Sequence, residues 1–186
     1  MDVHQINQHL ALRLVDLDDA EGLFTLTNTN RDYLKQWLPW LNGTKRVEDT
    51  RAFIHKAKLA YDDQKGMTFV ILWKEKIVGV ISYNSIDWTN KIAYIGYWLS
   101  AAVQGNGIMT KSTKFLTDYA FSHLNMNRVE IAAAVENKKS RAIPERLGFQ
   151  LEGIRREAEW LYDHYVDHAI YGMLKREWDT KKKKME

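Results

Sequence analysis

Between Lys91 and His123 the sequence changes its period, and that change confines the fold more than any other feature. Lys91 to Leu99 is rich in β-branched and aromatic residues and predicts a strand. Ile108 to His123 carries Leu116, Tyr119 and Ala120 at helical spacing and predicts a helix. Gln104-Gly-Asn-Gly107 bridges the two. A turn with two glycines can aim several backbone N–H groups at one point, where they add to the positive end of the helix dipole. Such a turn binds phosphate or pyrophosphate, or else simply supplies the positive φ that a strand–helix connection needs. Two common phosphate motifs fail: Thr110 stands where a dinucleotide loop needs its third glycine, and Thr110 also precedes Lys111 where a P-loop needs Gly.

Other elements follow by the same reading. Leu10 to Val15 alternates as a strand, and Asp16, Asp18 and Asp19 open a helix whose face is Ala20, Leu23, Phe24 and Leu26. A short helix from Asn30 to Trp37 stops at Leu38-Pro39, and a longer one runs from Val47 to Gln64. Met67 to Trp73 and Lys76 to Tyr83 flank a tight turn at Lys74-Glu75. Arg128 to Val135 is a strand, Lys138 to Leu147 a helix closed by Gly148, and Phe149 to Trp160 and Tyr165 to Leu174 are two more strands. The order β-α-α-α-β-β-β-α-β-α-β-β predicts one α+β domain of mixed layers, without repeats or a linker.

Composition narrows the function. With no Cys, the 186 residues hold no disulfide, thiol nucleophile or Cys-ligated metal. No apolar run suits a membrane span or a signal peptide, which makes a soluble, cytoplasmic protein the expectation. The formal charge of +3 resides wholly in Lys181 to Lys184 and Glu186, so the body is neutral and no nucleic-acid platform is expected. Residues 1–180 are read as the domain and 181–186 as a solvated, frayed basic tail. His164 and His168 are four apart, a zinc spacing only on a helix, and they fall in a strand and turn, so no metal is expected.

Gln104-x-x-Gly107, then Asn137-x-x-Ser140, then Glu145-Arg-Leu-Gly-Phe149 resembles the GNAT acyltransferases, over Leu10 to about Trp178. Tyr94-Ile-Gly-Tyr-Trp-Leu99, Gln104 to Ser112, Leu151-Glu-Gly153 with Ala158-Glu159, and Arg31 to Trp40 narrow this to the Rim group, close to the bacterial ribosomal-protein-serine acetyltransferases. The resemblance implies a single domain with a central, mostly antiparallel twisted sheet flanked by helices. It implies N-acetyl transfer from acetyl-CoA to an amine, that of a protein N-terminus on a ribosomal protein, by a self-associating enzyme. Backbone groups of Tyr97, Trp98 and Leu99 would hold pantetheine and the acetyl carbonyl. Gln104, Gly105, Asn106, Gly107, Ile108, Met109 and Thr110 would form the pyrophosphate loop, and Asn137 would contact the pantetheine arm. Glu159 is the implied base, acting through water, and Ser140 the implied donor to the thiol; a salt bridge to Arg155 or Arg156 and a capping role in the Lys138 helix are the alternative readings of the two. Trp37 and Trp40 would shape the acceptor groove, although core packing or a subunit contact explains them equally well.

Three departures stand out. Met109 replaces the small residue that many members carry, Pro144 stands where many have a general-acid Tyr, and Ala132 to Ala134 leave no basic Glu on their strand. Because likeness of fold does not fix the acceptor, an acetyltransferase for a small amine, such as a polyamine or aminoglycoside, is a second expectation. A non-catalytic acyl-CoA-binding module associated with the ribosome is a third.

Overall fold

The structure is a computed structural model and describes residues 3–183. Its eight strands form one sheet in the order β1-β2-β3-β4-β5-β6-β8-β7. They are β1 Val3–Asn7, β2 Leu10–Leu14, β3 Met67–Trp73, β4 Lys76–Asp87, β5 Ile92–Leu99, β6 Arg128–Ala134, β7 Gln150–Leu161 and β8 His164–Leu174. Six α-helices flank it: α1 Ala20–Thr29, α2 Arg31–Lys35, α3 Val47–Asp62, α4 Ile108–Ser122, α5 Lys138–Arg146 and α6 Lys175–Lys183. Every neighbouring strand pair is antiparallel except β5 and β6. This is the expected α+β architecture with a mostly antiparallel sheet.

The central strands are apolar on both faces because helices cover both. Phe69, Ile71, Ile81, Tyr83 and Ile95 pack in the larger core with Leu116 and Phe121 of α4. Their neighbours Val70 and Val80 point the other way, to a smaller core with Ala20 and Leu23 of α1 and Ile54 of α3. Among the described residues no helix is long and apolar enough to cross a membrane.

Two elements were not expected. β1 carries only Val3 and Ile6 as apolar residues, three apart, so it shows no alternation; pairing with β2 across the Asn7 turn makes it a strand. Helix α6 has Trp178 as its single apolar side chain, which leaves no periodic stripe to read. It continues through Lys183, so the domain boundary expected at residue 180 falls inside a helix; residues 184–186 lie outside the described residues. Trp178 is 2% exposed, packed near Phe121 and Phe149.

Asp118 of α4 anchors this last helix. It accepts the Trp178 indole N–H at 2.7 Å and pairs with Lys182, while Lys114 lies at 3.1 Å. Burial alone would push this carboxyl up, but the bonds from Lys182, Trp178 and Lys114 outweigh it and hold it below the usual carboxylate range. Its contribution is therefore present at neutral pH and fades as pH falls through the lowered value. Asp118→Ala strands a buried indole N–H and is expected to cost about 2 kcal/mol, seen in thermal melts as a Tm lower by roughly 4–8 °C.

Candidate active site

The sheet opens at its one parallel pair. β5 and β6 are in register from Ile92–Arg128 to Ile95–Ile131, after which both strands run on without pairing. β5 continues along β4 as far as Leu99 opposite Gly79, and β6 along β8 as far as Ala134 opposite His168. The backbone edge of Gly96 to Leu99 thus faces a wedge rather than a neighbouring strand, and an extended ligand can lie along it.

The glycine turn closes one end of that wedge. Gly105 and Gly107 take φ +83° and +70°, a region costly for other residues, and Gly107 caps α4 without a side-chain hydrogen bond. The first amides of α4 are therefore left to a ligand. Asn106 turns back on its own loop, its side-chain N–H donating to the Val103 carbonyl at 3.0 Å. Gln104 spans the mouth, donating to the Tyr33 hydroxyl at 2.6 Å and accepting from Lys139 at 3.0 Å. Arg146 donates to the Thr110 hydroxyl at 2.7 Å.

A cleft of about 970 Å³ runs along this edge, lined by Tyr97, Trp98, Leu99, Gln104, Gly105, Gly107, Ile108, Met109, Thr110, Asn137 and Ser140. Lys111, Lys138, Lys139 and Arg146 also line it. Sequence reasoning missed these cations, although Lys138 and Lys139 in the first turn of α5 oppose its dipole, an arrangement that makes sense beside an anion. The cleft fits a long ligand with an anionic middle: amides and cations at one end, a free strand edge at the other.

A second cavity of about 590 Å³ lies on the other side of the wedge, and Trp37, Leu38, Tyr97, Trp98, Asn137 and Ser140 line both. Asn137 caps α5, its side-chain oxygen accepting from the Ser140 N–H at 3.2 Å. The Tyr97 hydroxyl donates to the Ser140 carbonyl at 2.9 Å. Burial pushes that hydroxyl far above its ordinary range and leaves it a neutral structural donor. Trp40 lines only the second cavity, its ring 6.3 Å from that of Trp98. The loop carrying Trp37 and Trp40 is latched by Tyr162 at the β7–β8 turn, whose hydroxyl donates to the Leu38 carbonyl and accepts from the Leu41 N–H.

Glu159 reaches this cavity through a bulge. Arg155 faces His168 and Glu159 faces Val166, so Arg156, Glu157 and Ala158 together oppose Asp167. Regular pairing would put Glu157 opposite Val166; the bulge exchanges it for Glu159. The Glu157 backbone is held at φ +47°, and its N–H donates to the Asp167 carboxylate at 2.7 Å. Glu159 then lines the cavity with His168, whose Nε2 is 3.4 Å from its Oε2.

The empty stretch at Ala132 to Ala134 is as the sequence reads, yet the same strand does bring a carboxylate to the cavity two residues earlier. Glu130 is engaged there by Arg128 at 2.8 Å and lies 3.8 Å from Arg155. His164 is the first residue of β8, four residues before His168, and pairs with Asp163. Among the described residues no group of three or more potential ligands gathers at a metal site.

The arrangement suits transfer between two ligands that meet at Asn137 and Ser140, with Glu159 beside the second. The family described as an acetyltransferase (GNAT) domain matches residues 9–150. YdaF of Bacillus subtilis (strain 168), provisionally named a ribosomal N-acetyltransferase, is 37% identical over 96% of this chain and 98% of its own. A solved RimL ribosomal L7/L12 alpha-N-protein acetyltransferase in complex with coenzyme A superposes with a TM-score of 0.89, at 32% identity, covering 93% of this chain and 98% of that one. The microcin C7 self-immunity acetyltransferase MccE, solved with acetyl-CoA and AMP, gives a TM-score of 0.87 at 36% identity, covering 91% of this chain and 94% of that one.

Proposed function

The chain belongs to the GNAT acetyltransferase family and is an acetyl-CoA-dependent N-acetyltransferase; from that premise we propose that its acceptor is the α-amine at the N-terminus of a ribosomal protein. The observation that carries the acceptor reading is the charge of the second cavity. Arg128 is shared between Glu130 and Glu152, and Arg155 lies 3.8 Å from Glu130, so Glu159 is the one lining carboxylate without an arginine beside it. One carboxylate suits one amine, whereas a polyamine calls for a strip of negative charge. The names borne by YdaF and RimL support the same acceptor.

Acetyl-CoA supplies the acetyl group already activated as a thioester. In this reading the amides from Gly105 to Thr110, with Lys111, Lys139 and Arg146, hold its pyrophosphate. The β5 edge at Tyr97, Trp98 and Leu99 and the Asn137 side chain hold its pantetheine arm. Trp37 and Trp40 wall the acceptor side. An α-amine titrates near pH ~8 and is mostly protonated at neutral pH, so a base is useful. Glu159 takes the proton from the amine nitrogen, and the Ser140 hydroxyl donates a hydrogen bond to the thiol sulfur.

A second reading is favoured by the exposed aromatic wall. Trp40 and Phe53 line the acceptor cavity while 37% and 45% exposed, and MccE, solved with AMP, has the same fold. A small amine bearing a flat aromatic group would use that wall. The deciding experiment is CoA release from acetyl-CoA with peptides starting in Ser, Ala or Met, against polyamines, aminoglycosides and amine-bearing nucleotides. Release with peptides is the expected result, and it identifies the preferred first residue. Release with a small amine alone overturns the acceptor. Tight acetyl-CoA binding without any release points to a binding module.

A further inference from the structure

His168 has no part in the reading above, yet among the cavity's lining residues it is the one imidazole, and it meets Glu159 directly. Its side chain is 18% exposed and that of Glu159 is 30% exposed, so the pair sits in the wall of the cavity rather than on the outer surface. A glutamate on an edge strand has several rotamers to lose before it can serve as a base, and a fixed neighbour removes that cost. His168 is such a neighbour, because β8 lies between β6 and β7 and its backbone is paired on both sides.

We propose that His168 is the positioning residue for Glu159: its imidazole, with Nε2 3.4 Å from Oε2, fixes that side of the carboxylate and leaves Oε1 for the acceptor amine. This rests on the assignment of Glu159 as base made above. In the step, the bond from nitrogen to the acetyl carbon forms and the acetyl–sulfur bond breaks, its electron pair staying on sulfur. The amine proton goes to Oε1 of Glu159, and His168 keeps its own.

The other charged groups at this wall are Arg155, opposite His168 on β7, and Glu130 of β6, which lie 3.8 Å from each other. The lining residues of α5 and its cap, Ser140 and Asn137, are neutral, so His168 is the lining group that pairs with Glu159.

The test follows kcat and KM for wild type, His168→Ala and His168→Gln on one α-amine peptide. Loss of a group that only orients the base is expected to lower kcat about tenfold in His168→Ala, below the full effect of losing a base, with both KM values within about twofold. His168→Gln keeps an N–H donor and is expected to recover most of kcat. An alanine variant equal to wild type, or a glutamine variant no better than alanine, overturns the proposal. Wild type that turns over no α-amine would instead count against the function reading. The pairing is then decided by a double-mutant cycle: in a Glu159→Gln background, His168→Ala is expected to cost no further kcat, and a second tenfold loss there overturns it.

Discussion

Exchanging Glu159 for glutamine is expected to lower kcat by about a thousandfold, within the range ascribed to a positioned general base, and to leave the KM for acetyl-CoA nearly unchanged. The exchange keeps the volume and the shape of the side chain and removes only its ability to accept a proton. The KM should hold because the proposed cofactor groups come from β5, the glycine turn and α5, whereas Glu159 arrives on β7. A loss confined to kcat is the signature of a contact made only on the way to the transition state. Ser140→Ala is expected to cost far less, because a neutral hydroxyl contributes one hydrogen bond rather than a proton acceptor. Steady-state kinetics over a range of pH checks both. A Glu159→Gln enzyme within a few-fold of wild type, with the same pH–rate profile, would mean that water alone carries the proton away.

How far this site could be read from the sequence depends on what kind of geometry each part needs. The strand–turn–helix junction was legible almost to the residue: Lys91 to Leu99 was expected and Ile92–Leu99 is found, and the helix starts at Ile108 as expected. Its determinants are local, namely a change of period and two glycines that take positive φ. Trp37 and Trp40 line the second cavity, but an acceptor role for them comes from the resemblance to the Rim group and not from their spacing.

The Glu159–His168 pairing was not legible. It depends on which residues oppose each other across β7 and β8, and a bulge shifts that register by two residues without any Gly or Pro to announce it. In the sequence His168 stands out only by its spacing from His164, a metal-ligand pattern. Glu130 is masked by the three alanines that follow it on the same strand, and its partner Arg128 lies two residues before it. β1 and α6 are hidden for a related reason: each is held by its partners rather than by its own pattern, β1 by its hairpin neighbour β2 and α6 through Trp178 and Lys182.

Gly79→Ala is expected to destabilise the fold by about 3 kcal/mol, the upper part of the range for overpacking, a Tm lower by roughly 6–12 °C. Propensity argues the opposite sign. Gly79 lies inside Lys76-Ile-Val-Gly-Val-Ile, a strand of β-branched residues, where glycine is entropically costly and a larger residue should help by up to ~1 kcal/mol. The geometry outweighs that gain. A Cβ on Gly79 would lie 2.3 Å from the Trp98 carbonyl oxygen and 3.0 Å from the Leu99 Cα. Both obstacles are backbone, so no side-chain rotation relieves them. β4 must move away from β5 at the stretch whose other edge faces the cleft.

The same substitution should therefore also weaken acetyl-CoA binding by about tenfold or more. Its readout is a smaller rise of Tm on adding acetyl-CoA, which tracks the logarithm of ligand over Kd. Gly153→Ala is the control, since nothing lies within 4 Å of a Cβ built there; its stability should stay within about 0.5 kcal/mol of wild type. If Gly79→Ala loses stability but binds acetyl-CoA as wild type does, the β5 edge does not hold the pantetheine arm. If it loses neither, the sheet yields at that point, and propensity rather than packing governs the strand. Loss of both ties the glycine to the cofactor cleft through the position of Trp98 and Leu99.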